Sequence, residues 1–280
     1  MKKLILKQPV VSVRFLQENI DADNLIVLDA SMASVGEKDF KIPQTGIIGA
    51  RYISWKKDFT DSSSSIPNML PNAEHFTSAA QVMGINKDSA IVVYDNKGIY
   101  SSPRIYWMFK TMGHNNIAIL DGGFPHWQKG DGEISKLDFG LFEKGDFQAN
   151  LKIDLIKSKE EVFNALNNDS CAILDARSKG RFEGTSPEPR ASLRSGHIPG
   201  SMSLPFKEVL NDGKFKEKEE LRSIINVLLG EDKEEITFSC GSGITASILF
   251  LAAEHCGFKN VSVYDGSWSE WGMPSGLPIN

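Results

Sequence analysis

The sequence predicts an α/β protein built as two tandem copies of one domain, each a mainly parallel sheet flanked by helices. Three observations lead there. Short β-branched runs alternate with amphipathic helical stretches, the pattern of parallel α/β sheets. At 280 residues the chain can bury two cores of ordinary size, roughly 100–150 residues each. And the pattern is written twice. Residues 91–127 (IVVYDNKGIYSSPRIYWMFKTMGHNNIAILDGGFPHW) and 236–271 (ITFSCGSGITASILFLAAEHCGFKNVSVYDGSWSEW) share one order of strand, Gly-containing loop, helix, Gly turn, strand, Asp-Gly and Trp.

In chain order, an apolar strand from Leu25 closes in Leu28-Asp29-Ala30, and a second from Cys171 closes in Leu174-Asp175-Ala176. Thr45-Gly46-Ile47-Ile48-Gly49 is echoed by Ser195-Gly196-His197-Ile198-Pro199-Gly200. Further on, Ile91 matches Ile236, Gly98 matches Gly243, Ile99 matches Ile244, Gly113 matches Gly257, Asp121 matches Asp265 and Trp127 matches Trp271. An offset of about 145 residues is far longer than the ~20–50 of stacked repeats, so a whole domain is duplicated. The stretch 131–152 is rich in Gly and charge with weak periodicity and reads as the connection. The predicted boundaries are 1–140 for the first domain, 141–152 for a linker and 153–280 for the second domain. Asp29, Asp175, Trp127 and Trp271 recur in both copies and are expected to be structural, at strand ends and in the core.

Composition narrows the function classes. A formal charge of -5 and the absence of a dense Lys/Arg run argue against a nucleic-acid surface. No apolar run approaches the ~20 residues of a membrane span. The start, Met1-Lys2-Lys3-Leu4-Ile5-Leu6-Lys7, has its apolar stretch broken by Lys7, Gln8 and Arg14 and does not read as a signal peptide. A cytoplasmic location is expected. Cys171, Cys240 and Cys256 show neither CxxC spacing nor a His cluster, so no metal is expected. A disulfide between Cys240 and Cys256 is not expected across more than four helical turns. Cys171 opens an apolar strand and is expected to be buried and inert. His197, in the turn Gly196-His197-Ile198-Pro199-Gly200, is expected to hold that turn; His75, His114, His126 and His255 have no ligand spacing.

Chemistry concentrates in Cys240-Gly241-Ser242-Gly243-Ile244-Thr245-Ala246. The β-prone Ile236-Thr237-Phe238-Ser239 precedes it and the helical Ser247-Ile248-Leu249-Phe250-Leu251-Ala252-Ala253 follows. A cysteine between a strand end and a helix start meets unpaired N–H groups and the positive end of the helix dipole, surroundings that suit an anionic sulfur. The first copy has Asp95 there, so one copy holds a nucleophile and the other does not. Three readings compete. A phosphatase loop, C-x5-R, needs Arg at position 246, which is Ala. A dinucleotide fingerprint is satisfied by Gly241 to Ala246 with Asp265 downstream, yet too little chain follows for a mononucleotide-binding half. The third is a sulfur-carrying cysteine, whose persulfide the loop N–H groups stabilise without metal or cofactor.

These motifs together resemble the tandem-domain rhodanese-type sulfurtransferases across the whole chain. The loop C-G-S-G-I-T-A is similar to the C-G-S-G-V-T-A of members that use 3-mercaptopyruvate, whereas members preferring thiosulfate have basic residues there, typically C-R-K-G. Further matches are Ser195 to Gly200, Tyr264-Asp265-Gly266-Ser267-Trp268-Ser269-Glu270-Trp271, Met69-Leu70-Pro71 and Ser102-Pro103-Arg104. The resemblance implies two rhodanese-like domains, the second active. It implies a sulfurtransferase that moves sulfane sulfur from 3-mercaptopyruvate through a Cys240 persulfide to a thiol or cyanide, releasing pyruvate. The acceptor thiol would be thioredoxin or glutathione. Ser242 and Thr245 join Cys240 as implied catalytic residues, with the backbone of Gly241, Gly243 and Ile244 forming the cradle. Arg181, in Gly180-Arg181-Phe182, and Arg190, in Glu188-Pro189-Arg190, are the implied ligands of the donor's carboxylate and carbonyl, which guanidinium forks suit.

The chain departs from that pattern in one respect. The family's proton relay uses a first-domain His and Asp with the loop serine, but the His position is Asn68 and the Asp position falls on Lys56 or Lys57. The relay is not carried over, so either water or another side chain protonates the leaving enolate, or a lysine serves an anionic donor such as thiosulfate. A different class also fits the residues: a sulfur carrier or redox module in which Cys240 reacts without small-molecule turnover.

Overall fold

The first half folds through β1 (Val10–Val11), α1 (Val13–Asn19), β2 (Leu25–Asp29), β3 (Thr45–Ile47), β4 (Arg51–Tyr52), α2 (Trp55–Asp58), α3 (Ala73–Val82), β5 (Ala90–Tyr94), α4 (Ser102–Thr111), β6 (Ile117–Leu120), α5 (Gly123–Lys129) and β7 (Ile134–Lys136). The second runs through β8 (Ile156–Lys157), α6 (Lys159–Ala165), β9 (Cys171–Asp175), α7 (Lys179–Phe182), β10 (Met202–Ser203), β11 (Leu210–Asn211), β12 (Lys214–Phe215), α8 (Lys218–Leu229), β13 (Glu235–Ser239), α9 (Ala246–His255), β14 (Val261–Tyr264) and α10 (Ser267–Trp271). This computed structural model describes residues 3–230 and 233–280. Of the amino-terminal segment read above against a signal peptide, Met1 and Lys2 lie outside the described residues.

The duplication is visible strand by strand. One sheet has the order β1-β6-β5-β2-β4 and the other β8-β14-β13-β9-β10, and every pairing within both is parallel. Their central strands β5 and β13 end in Tyr94 and Ser239, immediately before Asp95 and Cys240. Parallel strands buried on both faces read as unbroken apolar runs, as Ala90–Tyr94 does with every residue buried. The helix after each loop is covered on all sides: α9 is buried from Ala246 to Ala253, and α4 from Ser102 to Phe109. The helix starts follow local rules. Ser12 and Asn72 cap α1 and α3 through their side chains, and Ser158 with Glu161 forms a reciprocal capping box on α6. Gly113 and Gly257 end the α4 and α9 turns at the same φ of 86°. Trp127 lies in the first core; Trp268 and Trp271 lie in the second.

Two compact units result. The first comprises the described residues of Met1–Ser62, Leu70–Lys152 and Asp212–Phe215, and the second those of Ser63–Met69, Ile153–Asn211 and Lys216–Asn280. Each unit thus takes in a short piece from the other half of the sequence. The stretch 141–152, read from sequence as a linker, belongs to the first unit. Its Phe147 is buried, and its backbone N–H groups at Gly145, Asn150 and Lys152 donate to Gln81, Met112 and Thr111 carbonyls. Those bonds join irregular backbone to helix ends, which periodicity cannot reveal.

All three cysteines are free. Cys171 corrects its sequence reading in part: it is half-buried, not buried. Its thiol lies 3.4 Å from a Glu235 carboxylate oxygen, and burial and then that carboxylate push its pKa up. His197 does hold its turn, stacking on Phe182 at 3.9 Å with Nδ1 2.9 Å from the Phe182 carbonyl.

Candidate active site

The loop of the second unit hangs between β13 and α9, tied down from α10. The Trp268 N–H donates to the Cys240 carbonyl at 2.9 Å and the Ser269 N–H to the Gly241 carbonyl at 2.8 Å. Cys240 is 1% exposed. Gly243 sits at φ 77°, a left-handed conformation that favours glycine, and its carbonyl accepts the Ser247 hydroxyl at 2.9 Å. Ile244 is buried. Thr245 stands at the start of α9 with no capping bond from its side chain.

Both arginines singled out in the sequence converge on Gly241. Arg181 lies on α7, and a Cβ on Gly241 would fall 3.1 Å from its Nη2 and 3.7 Å from its Nη1, so any side chain there would press the guanidinium back by a few tenths of an ångström. Arg190, in an exposed loop, donates through Nη1 to the Ser269 hydroxyl, which donates to the Gly241 carbonyl. Ser242 is held from another direction: Asn68, at φ 64°, donates its side-chain amide to Ser242 Oγ at 3.0 Å. Asn68 falls within the second unit. Lys56 and Lys57 are exposed residues of α2 in the first unit, and the second unit holds neither.

Several residues of this neighbourhood escaped the sequence reading. Arg177 is fully buried, lies over the Trp268 ring at 4.2 Å, and pairs with Asp175 (2.7 Å) and Glu188 (2.9 Å). Glu188 also takes Arg181 at 2.6 Å. Charges inside an otherwise apolar strand end, Asp175-Ala176-Arg177, were the available signal. Ser267 receives the Cys240 N–H at 3.2 Å, donates to the Tyr264 carbonyl at 2.8 Å, and places its hydroxyl 4.0 Å from the Cys240 sulfur. Its φ of 50° matches the 53° of Gly123, its counterpart in the first copy. A serine kept where the sister loop uses glycine is strain of the kind stored at functional sites.

The first copy displays what such a loop binds. Asp95 Oδ2 accepts the N–H groups of Tyr100, Ser101 and Ser102 at 2.9 Å each and the Ser102 hydroxyl at 2.8 Å. Its Oδ1 accepts the Lys97 N–H at 3.0 Å. The loop that Cys240 starts in the second copy therefore closes, in the first, around a hydrogen-bond-accepting carboxyl group attached to the chain itself.

The Arg177 network makes a stability prediction. Arg177→Met strips the guanidinium from two buried carboxylates, a change that costs about 3–5 kcal/mol. The thermal midpoint of the second unit is expected to fall by about 10 °C or more in calorimetry; an unchanged midpoint contradicts the ion-pair account.

Among the described residues, no helix is long and apolar enough to cross a membrane, and no three His, Cys, Asp or Glu side chains are grouped to hold a metal ion. Comparison with known proteins agrees with the duplicated architecture: the Rhodanese-like domain matches residues 12–130 and again 158–273. The chain is 35% identical over 274 residues to 3-mercaptopyruvate sulfurtransferase of Escherichia coli K12, covering 96% of both chains. It is 36% identical over 277 residues to thiosulfate sulfurtransferase of Mus musculus, covering 95% of this chain and 93% of that one. The crystal structure of SseA, a 3-mercaptopyruvate sulfurtransferase from Escherichia coli, superposes with a TM-score of 0.83 at 34% identity, covering 94% of this chain and 100% of the other.

Proposed function

The chain belongs to the rhodanese-like family, and from that premise we propose that it is a sulfurtransferase taking sulfur from 3-mercaptopyruvate onto Cys240 and passing it to a thiol or cyanide. The observation that carries this reading is the meeting of Arg181 and Arg190 at Gly241, the residue after Cys240. Two guanidinium groups beside one nucleophile suit a small donor bearing a carboxylate and a carbonyl.

The Cys240 thiolate attacks the thiol sulfur of the donor. A sulfur–sulfur bond forms as the donor's carbon–sulfur bond breaks, and that electron pair leaves on the three-carbon fragment as the enolate of pyruvate. Cys240 is left as a persulfide, its outer sulfur facing N–H groups of residues 241–245. An acceptor thiolate, from thioredoxin or glutathione, then attacks the outer sulfur and returns Cys240 as thiolate. Asn68 cannot take the part of an acid, because an amide has no proton to give at neutral pH. Its bond to Ser242 Oγ uses an oxygen lone pair and leaves the Ser242 hydroxyl proton free to be donated to the leaving enolate oxygen. The proton that turns enolate into pyruvate comes from water. Three free thiols suit a reducing compartment, and the cytoplasm is the proposed location.

Likeness to a thiosulfate sulfurtransferase makes thiosulfate the second donor to test. Intact mass after incubation with 3-mercaptopyruvate is expected to rise by about 32 Da, reversibly with dithiothreitol. In steady state, kcat/KM for 3-mercaptopyruvate is expected to exceed that for thiosulfate by about tenfold or more. The opposite preference overturns the donor, and no adduct with either overturns the activity.

A further inference from the structure

We infer that Glu188 is a positioning residue for donor binding, holding one edge of the Arg181 guanidinium so that the other edge faces Gly241. The inference rests on the proposed role of Arg181 as a carboxylate ligand. Glu188 has a side chain 1% exposed, whereas that of Arg181 is 20% exposed. The pair is bidentate: Arg181 Nε donates to Oε1 at 3.2 Å and Nη2 to Oε2 at 2.6 Å. An arginine fork has five N–H donors, and this contact uses the Nε/Nη2 edge. Both Nη1 hydrogens and the second on Nη2 remain, and Nη1 and Nη2 are the atoms that lie over Gly241. A free arginine at that place would sample many rotamers, and few of them would present two parallel donors to a carboxylate.

Glu188 is itself held. Arg177 Nη1 donates to Glu188 Oε1 at 2.9 Å, Arg177 Nε donates to Asp175 Oδ2 at 2.9 Å, and Arg177 Nη2 donates to the Gly196 carbonyl at 2.8 Å. Asp175 is the last residue of β9. A chain of fixed contacts thus runs from the central sheet through Asp175, Arg177, Glu188 and Arg181 to the backbone beside Cys240. Its two cations and two carboxylates balance in charge. Recognition then depends on where the outer guanidinium edge points more than on a surplus of positive charge, and this favours a planar carboxylate over anions at large.

Glu188→Gln keeps the side-chain volume and removes the pin. The full-length variant is expected to raise KM for 3-mercaptopyruvate by about tenfold or more, with kcat within about threefold. Its preference for 3-mercaptopyruvate over thiosulfate is expected to narrow. Loading of Cys240 by an alkyl hydropersulfide, which carries no carboxylate, followed by intact mass, is expected to run at the wild-type rate. Glu188→Asp keeps the charge but shortens its reach to Arg181 by one methylene, and the same pattern is expected. An unchanged or lowered KM in either folded variant overturns the inference; a lowered one means that net charge, not placement, governs binding. A wild-type protein inactive with 3-mercaptopyruvate fails the functional reading itself, which separates the two.

Discussion

Cys240→Ser is expected to lower kcat/KM with 3-mercaptopyruvate and with thiosulfate by at least about 10^3-fold and to abolish the persulfide adduct. The proposed reaction needs a polarisable anion that attacks sulfur and later leaves from it. An alcohol is essentially never ionised at neutral pH and does neither. Neither of the other thiols can stand in. Cys171 pairs with Glu235 at the start of β13, whereas Cys240 follows the far end of that strand, about 16 Å away along an extended chain. Burial and the Glu235 carboxylate also push the Cys171 pKa up, away from the thiolate. Cys256 ends α9, ten residues of helix beyond the loop, about 15 Å on, and burial likewise raises its pKa. Cys171→Ser and Cys256→Ser are therefore expected to keep the adduct and the turnover. A dithiothreitol-labile adduct of about 32 Da surviving in Cys240→Ser contradicts the assignment.

The sequence reading reached the architecture because duplication writes the same constraints twice. The strand ending at Asp29 and the one ending at Asp175 sit beside the central strand in both sheets, and Gly113 and Gly257 make the same turn. It singled out Cys240 as the candidate nucleophile through contrast with Asp95, since one fold accepts both residues. It singled out Arg181 and Arg190 by motif as candidates, but not what holds them. Ion pairs such as Arg177 with Glu188 join positions 11 residues apart across irregular loop, and no periodicity marks them. Asn68 is a related case. In sequence it reads as a loss, the relay histidine replaced; in the structure it is a donor to Ser242 at 3.0 Å. Ser267 was legible in hindsight, as a serine aligned with a glycine in a turn that needs positive φ. The packing of 63–69 with the second unit and of Asp212–Phe215 with the first was not legible, because short polar segments advertise no partner.

Asp95→Ala tests why the first copy keeps an acidic residue at the position that Cys240 takes in the second. Asp95 is 0% exposed and accepts five hydrogen bonds, four of them from backbone N–H groups of its own loop. Backbone donors cannot be deleted by evolution, so a loop of this shape brings converging N–H groups wherever the fold places it. In the second copy the proposed sulfur anion fills that role; in the first a carboxylate does so permanently. Alanine leaves the buried N–H groups of Tyr100, Ser101 and Ser102 and the half-buried one of Lys97 without that acceptor, at a net cost of about 3–5 kcal/mol after partial relaxation. The midpoint of the first unit is expected to fall by about 10 °C or more, while Cys240 still forms its persulfide below that transition. Asp95→Asn keeps one acceptor oxygen and is expected to fall between alanine and wild type. Equal melting of Asp95→Ala and wild type would mean that the loop finds other acceptors, and the carboxylate could then no longer be read as a resident stand-in for the anion that Cys240 supplies.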